Sequence, residues 1–363
     1  MIEHDELAAW LRLLETPEVG RESARRLLAA FGSPQGVFEA GSAALREVAG
    51  GLSTALCTAQ PALEVLIETT WAWLARGEQR AVVTLGDALY PTLLVETADP
   101  PLLLYVQGRA ELLAATSVAV VGSRNPTPQG LDNARSFARH LSQGGLSIVS
   151  GLALGIDGAA HEGALEGVGS TIAVVGTGLD SVYPKRHHSL AHRIAAKGLM
   201  VSEYSLGTSP LPQHFPQRNR LIAGLSRGTL VVEAALQSGS LITARLAAEC
   251  GREVFAIPGS IHAPQSRGCH MLIRQGAKLV DSAQDILEEL RLSSPLPTAA
   301  RADAPERADP LLQALGFDPL TLDGLVERTG VTPAELSARL LELELEGKVA
   351  RLPGQRFQRV ARG

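Results

Sequence analysis

Between residues 117 and 259 six short apolar runs alternate with helical patterns: SVAVVG (117–122), LSIVSG (146–151), TIAVVG (171–176), LMVSE (199–203), TLVVEA (229–234) and EVFAIPG (253–259). Uninterrupted apolar runs this short read as strands buried on both faces. Their regular alternation with helices through short glycine-rich joints predicts an α/β fold, a Rossmann-like, doubly wound and mostly parallel sheet. KLV at 278–280 is a candidate further strand. AVVTL (81–85) and LLLYV (102–106), set among Pro91, Pro100 and Pro101, add two more ahead of it. Ligands of such sheets bind beyond the carboxyl ends of the strands. At the end of the first run stand Gly122, Ser123 and Arg124, which offer a tight turn, a hydroxyl and a fixed cation, a combination suited to phosphate.

The chain of 363 residues is long enough for two or three domains. Residues 1–78 read as helical, and TPEVGRESARRLLAAFGSPQGVF resembles a SAM-like or helix-hairpin-helix module, with a degenerate second copy at 45–56. Arg21, Arg25 and Arg26 in that module either face a DNA phosphate or lie solvated on a packing helix. Residues 79–292 hold the sheet, and 293–310, rich in Pro, Ala and charge, read as a linker. In 311–363 two helical patterns followed by a hairpin at Pro353-Gly354 resemble a winged helix. The 45% apolar content supplies a core, yet no run approaches the roughly 18–20 residues that span a bilayer. Cys57, Cys250 and Cys269 stand singly, which suggests neither disulfides nor zinc, and the acidic start MIEHDELAAW lacks a signal pattern. A soluble, cytoplasmic protein without a membrane partner is expected.

A net charge of −5 argues against a basic coat, but the positive charge is concentrated: residues 182–228 hold Lys185, Arg186, Arg193, Lys197, Arg218, Arg220 and Arg227 against Glu203 alone. SGLALGIDGAAH (150–161) sets a glycine-rich turn before a helix whose amino terminus offers N–H groups to an anion. Asp157 there reads as a helix cap, and with His161 it falls short of a metal site. Arg218 and Arg220 either grip phosphate or pair with Glu203 or Glu233, and Phe215 either stacks a base or fills core. No nucleotide cofactor is expected. GSRNPTPQG is not GxGxxG, the second strand ends in Ser150-Gly151 where a ribose-binding acid is needed, and neither a P-loop nor a GxSxG elbow occurs. Arginines, a lysine and backbone amides beside an aromatic suit single-stranded nucleic acid with little sequence preference.

VGSRNPTPQG, SGLALGIDGAAHEGAL, GTGLDSVYP, SEYSLGTSPLPQHFPQRNRLIAGLS, SGSLITARLAAECGREVFAIPG and SRGCHMLIRQGAKLV, in order over 117–280, resemble the DNA-processing protein A (DprA/Smf) family. The resemblance implies a protein without catalytic residues that binds and protects incoming single-stranded DNA in natural transformation, loads the RecA recombinase, and forms a homodimer. Carried over by motif, the DNA site is Gly122, Ser123, Arg124, Lys185, Phe215, Arg218, Asn219 and Arg220, with Arg252 as a further member. Ile273 and Leu279 are candidates for a dimer or RecA surface. Relatives often carry a lysine three residues before the phenylalanine, where this chain has Pro212, and His214 is the residue placed to substitute. In the carboxy-terminal module the second helix carries Glu335, Glu342, Glu344 and Glu346 against Arg339, whereas the hairpin carries Lys348, Arg351, Arg356 and Arg359. That helix is therefore not expected in a major groove, and the module is expected to serve protein contact or weak duplex binding through its wing. The alternative is a nucleotide phosphoribohydrolase of the lysine-decarboxylase-like kind. Gly228-Thr229 and Glu233 echo its PGGxGTxxE signature, without the Pro-Gly-Gly and with Glu233 one residue too far.

Overall fold

The nine apolar runs form one sheet. The computed structural model describes residues 2–58, 61–77, 79–292 and 309–360, and places β1 (Arg80–Thr84), β2 (Leu103–Gly108), β3 (Ser117–Val121), β4 (Ser147–Ser150), β5 (Thr171–Val174), β6 (Leu199–Ser202), β7 (Gly228–Val231), β8 (Glu253–Ala256) and β9 (Lys278–Leu279) in the lateral order β1-β2-β6-β5-β4-β3-β7-β8-β9. Pairing from β6 across to β9 is parallel, and the two proline-flanked strands β1 and β2 join antiparallel at one edge. The chain steps outward from β3 through β4, β5 and β6, then returns to lay β7 on the other side of β3. The carboxyl ends of β3 and β7 therefore flank a topological switch point, where such sheets open a crevice.

Strand alternation feeds two apolar layers. Val118 and Val120 of β3 pack with α8 (Pro128–Gln143), α9 (Ile156–Ala164) and α14 (Ala283–Glu289), while Ala119 and Val121 pack with α11 (His214–Leu225), α12 (Ser240–Glu249) and α13 (Arg267–Arg274). The short α7 (Thr92–Val95) and α10 (His188–Lys197) complete the cover. The amino-terminal helices α1 (His4–Glu15), α2 (Arg21–Phe31), α3 (Pro34–Glu39), α4 (Ser42–Ala49), α5 (Ser53–Cys57) and α6 (Pro61–Ala75) share an apolar cluster with β1, β2, β5 and β6. Trp73 meets Tyr105 edge-on there at 6.1 Å. Arg21 and Arg25, both part-exposed, are already engaged by Asp99, at 2.7 and 2.8 Å. Burial alone would push the Asp99 carboxyl up, but Arg25, Arg220 and Arg21 outweigh it and hold it below the ordinary value.

Residues 309–360 build a separate small core of Leu311, Leu315, Leu325, Leu336, Leu340, Leu343 and Val349. Its helices are α15 (Pro310–Leu315), α16 (Leu322–Thr329) and α17 (Pro333–Leu345), and its strands β10 (Leu320–Thr321), β11 (Val349–Leu352) and β12 (Arg356–Arg359) pair in the order β10-β12-β11, the arrangement of a winged helix. A capping box between Thr332 and Glu335 starts α17. Its one cation, Arg339, is engaged by Asp309 and Glu342 at 2.8 and 2.5 Å. Except for its last two residues, the expected linker lies outside the described residues. Among those residues no helix is long and apolar enough to cross a membrane.

Candidate nucleic-acid interface

A cavity of about 650 Å³ opens at the switch point. Gly122, Ser123 and Arg124 after β3, Asp157 of α9, Phe215, Arg218 and Asn219 of α11, and Ser238 to Ser240 at the start of α12 line it.

The loop that carries Arg124 is clamped from both sides. Ser123 N donates to Glu233 O at 2.7 Å, and Ser123 O accepts from Ile156 N at 3.1 Å. The Glu233 carboxylate then accepts from Thr127 N (2.9 Å) and from the Thr127 hydroxyl (2.5 Å) at the start of α8. Gly130 makes room for it, since a Cβ at that position would stand 2.5 Å from Glu233 Cδ. Burial pushes the Glu233 carboxyl up, partly offset by the Thr127 bonds. An internal carboxylate thus sits on the helix terminus that receives pyrophosphate in dinucleotide-binding sheets. The acid that the hydrolase alternative would use is engaged at this helix start and does not line the cavity. Arg124 itself is exposed.

Arg218 is held in a different way. Only 4% exposed, its Nη1 donates to Gly151 O (2.6 Å) and to Val174 O, tying the end of β5 to the turn after β4. The guanidinium lies directly on Gly151, where a Cβ would come within 2.4 Å of Nη1. Burial lowers the Arg218 pKa to about 10, with Asp157 opposing, so it remains a cation at neutral pH. Asp157 does not cap its own helix, because Gly155 is the N-cap. Its carboxylate instead reaches back to Gly151 N (3.1 Å) and Ala153 N (3.3 Å), and burial pushes its pKa up against the pull of Arg218.

His161 completes this support. Its Nε2 accepts from Leu152 N (3.2 Å), an amide held at φ 58°, and its Nδ1 meets the Thr171 hydroxyl at 2.7 Å, which itself donates to Ile148 O. Only a neutral ring protonated on Nδ1 satisfies both bonds. Burial holds its pKa down to about 3. The unfolded chain, with an ordinary histidine, takes up this proton first as pH falls below about 6.5. Native stability from this residue is therefore full above that pH and is lost on acidification toward about 3, at up to roughly 1.4 kcal/mol per pH unit. We expect chemical denaturation of the parent to show this added slope between about pH 6.5 and 5, and His161→Gln to lack it. Equal slopes would show that the ring is not held neutral.

At the mouth, Phe215 and Tyr183 pack with ring centroids 5.4 Å apart and planes tilted 38°, and the Arg124 guanidinium lies 5.9 Å from the Phe215 centroid. Tyr183 is 47% exposed. Lys185, two residues further on, is exposed but does not line the cavity.

The structure does not bring three other expected residues into the cavity wall. Arg220 points to the opposite side of α11, where it bonds both carboxylate oxygens of Glu203 and Asp99 O. Arg252 donates to Leu93 O (3.2 Å) and Glu96 (2.7 Å) and lines a separate groove of about 710 Å³ between α12 and α13. His214 does not replace the missing lysine: its Nδ1 meets Gly176 O at 3.2 Å, and its ring stacks on Tyr204 at 4.2 Å, leaving Pro212 on the wall. Ile273 is half-buried on α13, and Leu279 is 48% exposed on the edge strand β9. Among the described residues no three potential metal ligands cluster.

Sequence reasoning missed Tyr183, Gln237, Ser238, Ser240 and Thr243 of the wall. SGSLITAR carried a usable signal, with small hydroxyl residues at a helix start. Its return to the Arg124 side depends on the crossover from β7, which no local pattern encodes.

A family model for DNA recombination-mediator protein A matches residues 81–291, and one for the DprA winged helix domain matches 294–355. Protein Smf of Escherichia coli (strain K12) is 44% identical over 298 residues, covering 79% of each chain. The X-ray structure of DNA processing protein A from Streptococcus pneumoniae superposes with a TM-score of 0.64 at 40% identity, over 79% of this chain and 98% of that one. DNA processing protein A from Helicobacter pylori, a structure described for its single-stranded DNA binding mode, gives a TM-score of 0.53 at 35% identity over 58% and 95%. With both segments matched and the switch-point cavity in place, the chain belongs to the DNA recombination-mediator protein A family.

Proposed function

We propose that this chain binds single-stranded DNA at the switch-point cavity, protects it, and passes it to the RecA recombinase as a non-catalytic mediator of natural transformation. The observation that carries the reading is the exposed Arg124 on its clamped loop, set beside the Phe215–Tyr183 aromatic pair, while Glu233 fills the usual cofactor position. A cation and two π-faces at one mouth suit a strand whose bases are unpaired and able to stack. Gly122, Ser123, Arg124, Lys185, Phe215 and Asn219 form the contact set, and Arg218 shapes it from behind. The single-strand binding described for the Helicobacter pylori relative supports the same use of this fold. The layout proposed is a helical domain over 1–78, the DNA-binding sheet over 79–292, a linker to 310 and a winged helix to 363. The winged helix serves protein contact or weak duplex binding through the cations of its wing, because α17 is acidic. Ile273 and Leu279 belong to the face through which two copies, or one copy and RecA, meet.

Fluorescence anisotropy with labelled oligothymidine and with a duplex of equal length tests the reading. Tighter binding to the single strand, falling steeply with salt, is expected, together with faster RecA filament assembly on strands coated with this protein. Duplex preference would overturn it.

A further inference from the structure

The cations crowded into residues 182–228 separate into different environments in the fold. Arg218 is internal and Arg220 is paired with Glu203, whereas Lys185, Arg186, Arg193 and Lys197 are all exposed. None of these four has a carboxylate within ion-pair distance among the described residues. Some cations elsewhere are paired, such as Arg135 with Glu162 at 2.8 Å and Lys278 with Glu289 at 3.0 Å, and others, such as Arg26, Arg227 and Arg267, are exposed without an ion pair among those residues; what distinguishes the four is that they follow one another from the cavity mouth. The four lie on one continuous piece of chain. A 3-10 turn, Lys185–His187, begins two residues after Tyr183 on the cavity wall and runs directly into α10.

Because β5 and β6 are parallel, α10 returns from the carboxyl edge of the sheet to its amino edge, a path of about 15 Å. Ser189, Arg193 and Lys197 follow one another at i,i+4 on its exposed side, and His188 and His192 form the neighbouring row with rings 4.3 Å apart. Acids on adjoining segments are occupied: Glu162 of α9 and Glu166 just after it by Arg135 and Arg139, and Glu111 by Arg109, whose guanidinium also reaches Lys197 O. A cation in the last turn stabilises a helix and accounts for Lys197, but it does not account for Arg186 or Arg193.

We propose that a DNA strand leaving the cavity past Tyr183 and Lys185 continues along α10, where Arg186, Arg193 and Lys197 hold successive backbone phosphates. This track rests on the single-strand reading above and extends the footprint beyond the pocket.

The test compares the full chain with an Arg186→Gln, Arg193→Gln, Lys197→Gln variant on oligothymidines of roughly 6 and roughly 20 nucleotides, spanning the usual range of site sizes. All three positions are exposed, and a matching melting temperature controls for folding. The variant should bind the long strand at least about tenfold more weakly. Its salt slope should be shallower by about 2, near 0.7 for each phosphate no longer neutralised, with short-strand affinity unchanged. A variant equal to the parent on the long strand overturns the track, and so does equal weakening on both lengths, which would place these cations at the pocket itself. A parent that binds neither strand removes the single-strand reading and the track together.

Discussion

Replacing Arg218 with alanine should destabilise the sheet by about 2–6 kcal/mol, because two buried carbonyls lose their donor at a cost of roughly 1–3 kcal/mol each. Those carbonyls, Gly151 O and Val174 O, end neighbouring parts of the sheet, and the guanidinium is what spans them. The loss also removes from Asp157, already pushed up by burial, the largest of the influences that oppose that shift, so its carboxyl takes a proton at a higher pH than in the parent. Arg218 matches a DNA-contact position by motif, but its side chain is turned to the backbone, and the expected signature is structural. Melting temperature falls, and DNA affinity falls with it. Gly151→Ala provides an independent approach from the other side, because its Cβ would meet the guanidinium at 2.4 Å and force it off the carbonyls. Arg124→Ala is the contrast, since an exposed residue on a clamped loop should lose affinity with melting unchanged. Were Arg218→Ala to keep the parent's melting temperature while losing DNA, the guanidinium would be a phosphate contact after all.

The pair Arg218 and Arg124 also shows what was legible in the chain. The sheet was readable because β3 to β8 come from short apolar runs with distinct ends, and buried parallel strands leave that signature without help from distant residues. The place of Arg124 was readable for the same reason, since it follows a strand at the carboxyl edge. The role of Arg218 was not. Whether a guanidinium faces solvent or a carbonyl depends on which loop lies across it, and Gly151 comes from 67 residues earlier in the chain. Arg220, two residues on, faces the opposite side of the same helix and finds Glu203 and Asp99, so one motif contains both a brace between backbone carbonyls and a largely buried ion pair. Glu233 is similar. Its spacing from Gly228-Thr229 invited comparison with an enzyme signature, but its partner is Thr127, brought in by the α8 crossover. Charge counted along the sequence likewise merged groups that the fold separates, and only the exposed, unpaired subset is available to a polyanion.

Phe215→Ala should weaken single-strand binding by about 5- to 150-fold, the equivalent of the roughly 1–3 kcal/mol that base stacking contributes. Its half-buried ring, with Tyr183 at 5.4 Å and the Arg124 guanidinium at 5.9 Å, offers a π-face bordered by a second ring and a cation. A strand entering there can place a base on the ring and its phosphate on the arginine at once. The competing role is filling space against the turn at Gly176, which Phe215→Leu would largely preserve. If stacking is the function, leucine should bind as weakly as alanine while melting like the parent. If filling is the function, leucine should restore binding. Because the guanidinium and ring touch the same nucleotide in this picture, Arg124→Ala and Phe215→Ala should not add: the double variant should lose less free energy than the sum of the singles. The salt dependence separates them further. Arg124→Ala should flatten the slope by about 0.7, and Phe215→Ala should leave it unchanged, since a ring releases no counterion. Additive losses, or a changed slope for Phe215→Ala, would mean that the two side chains act on different parts of the strand.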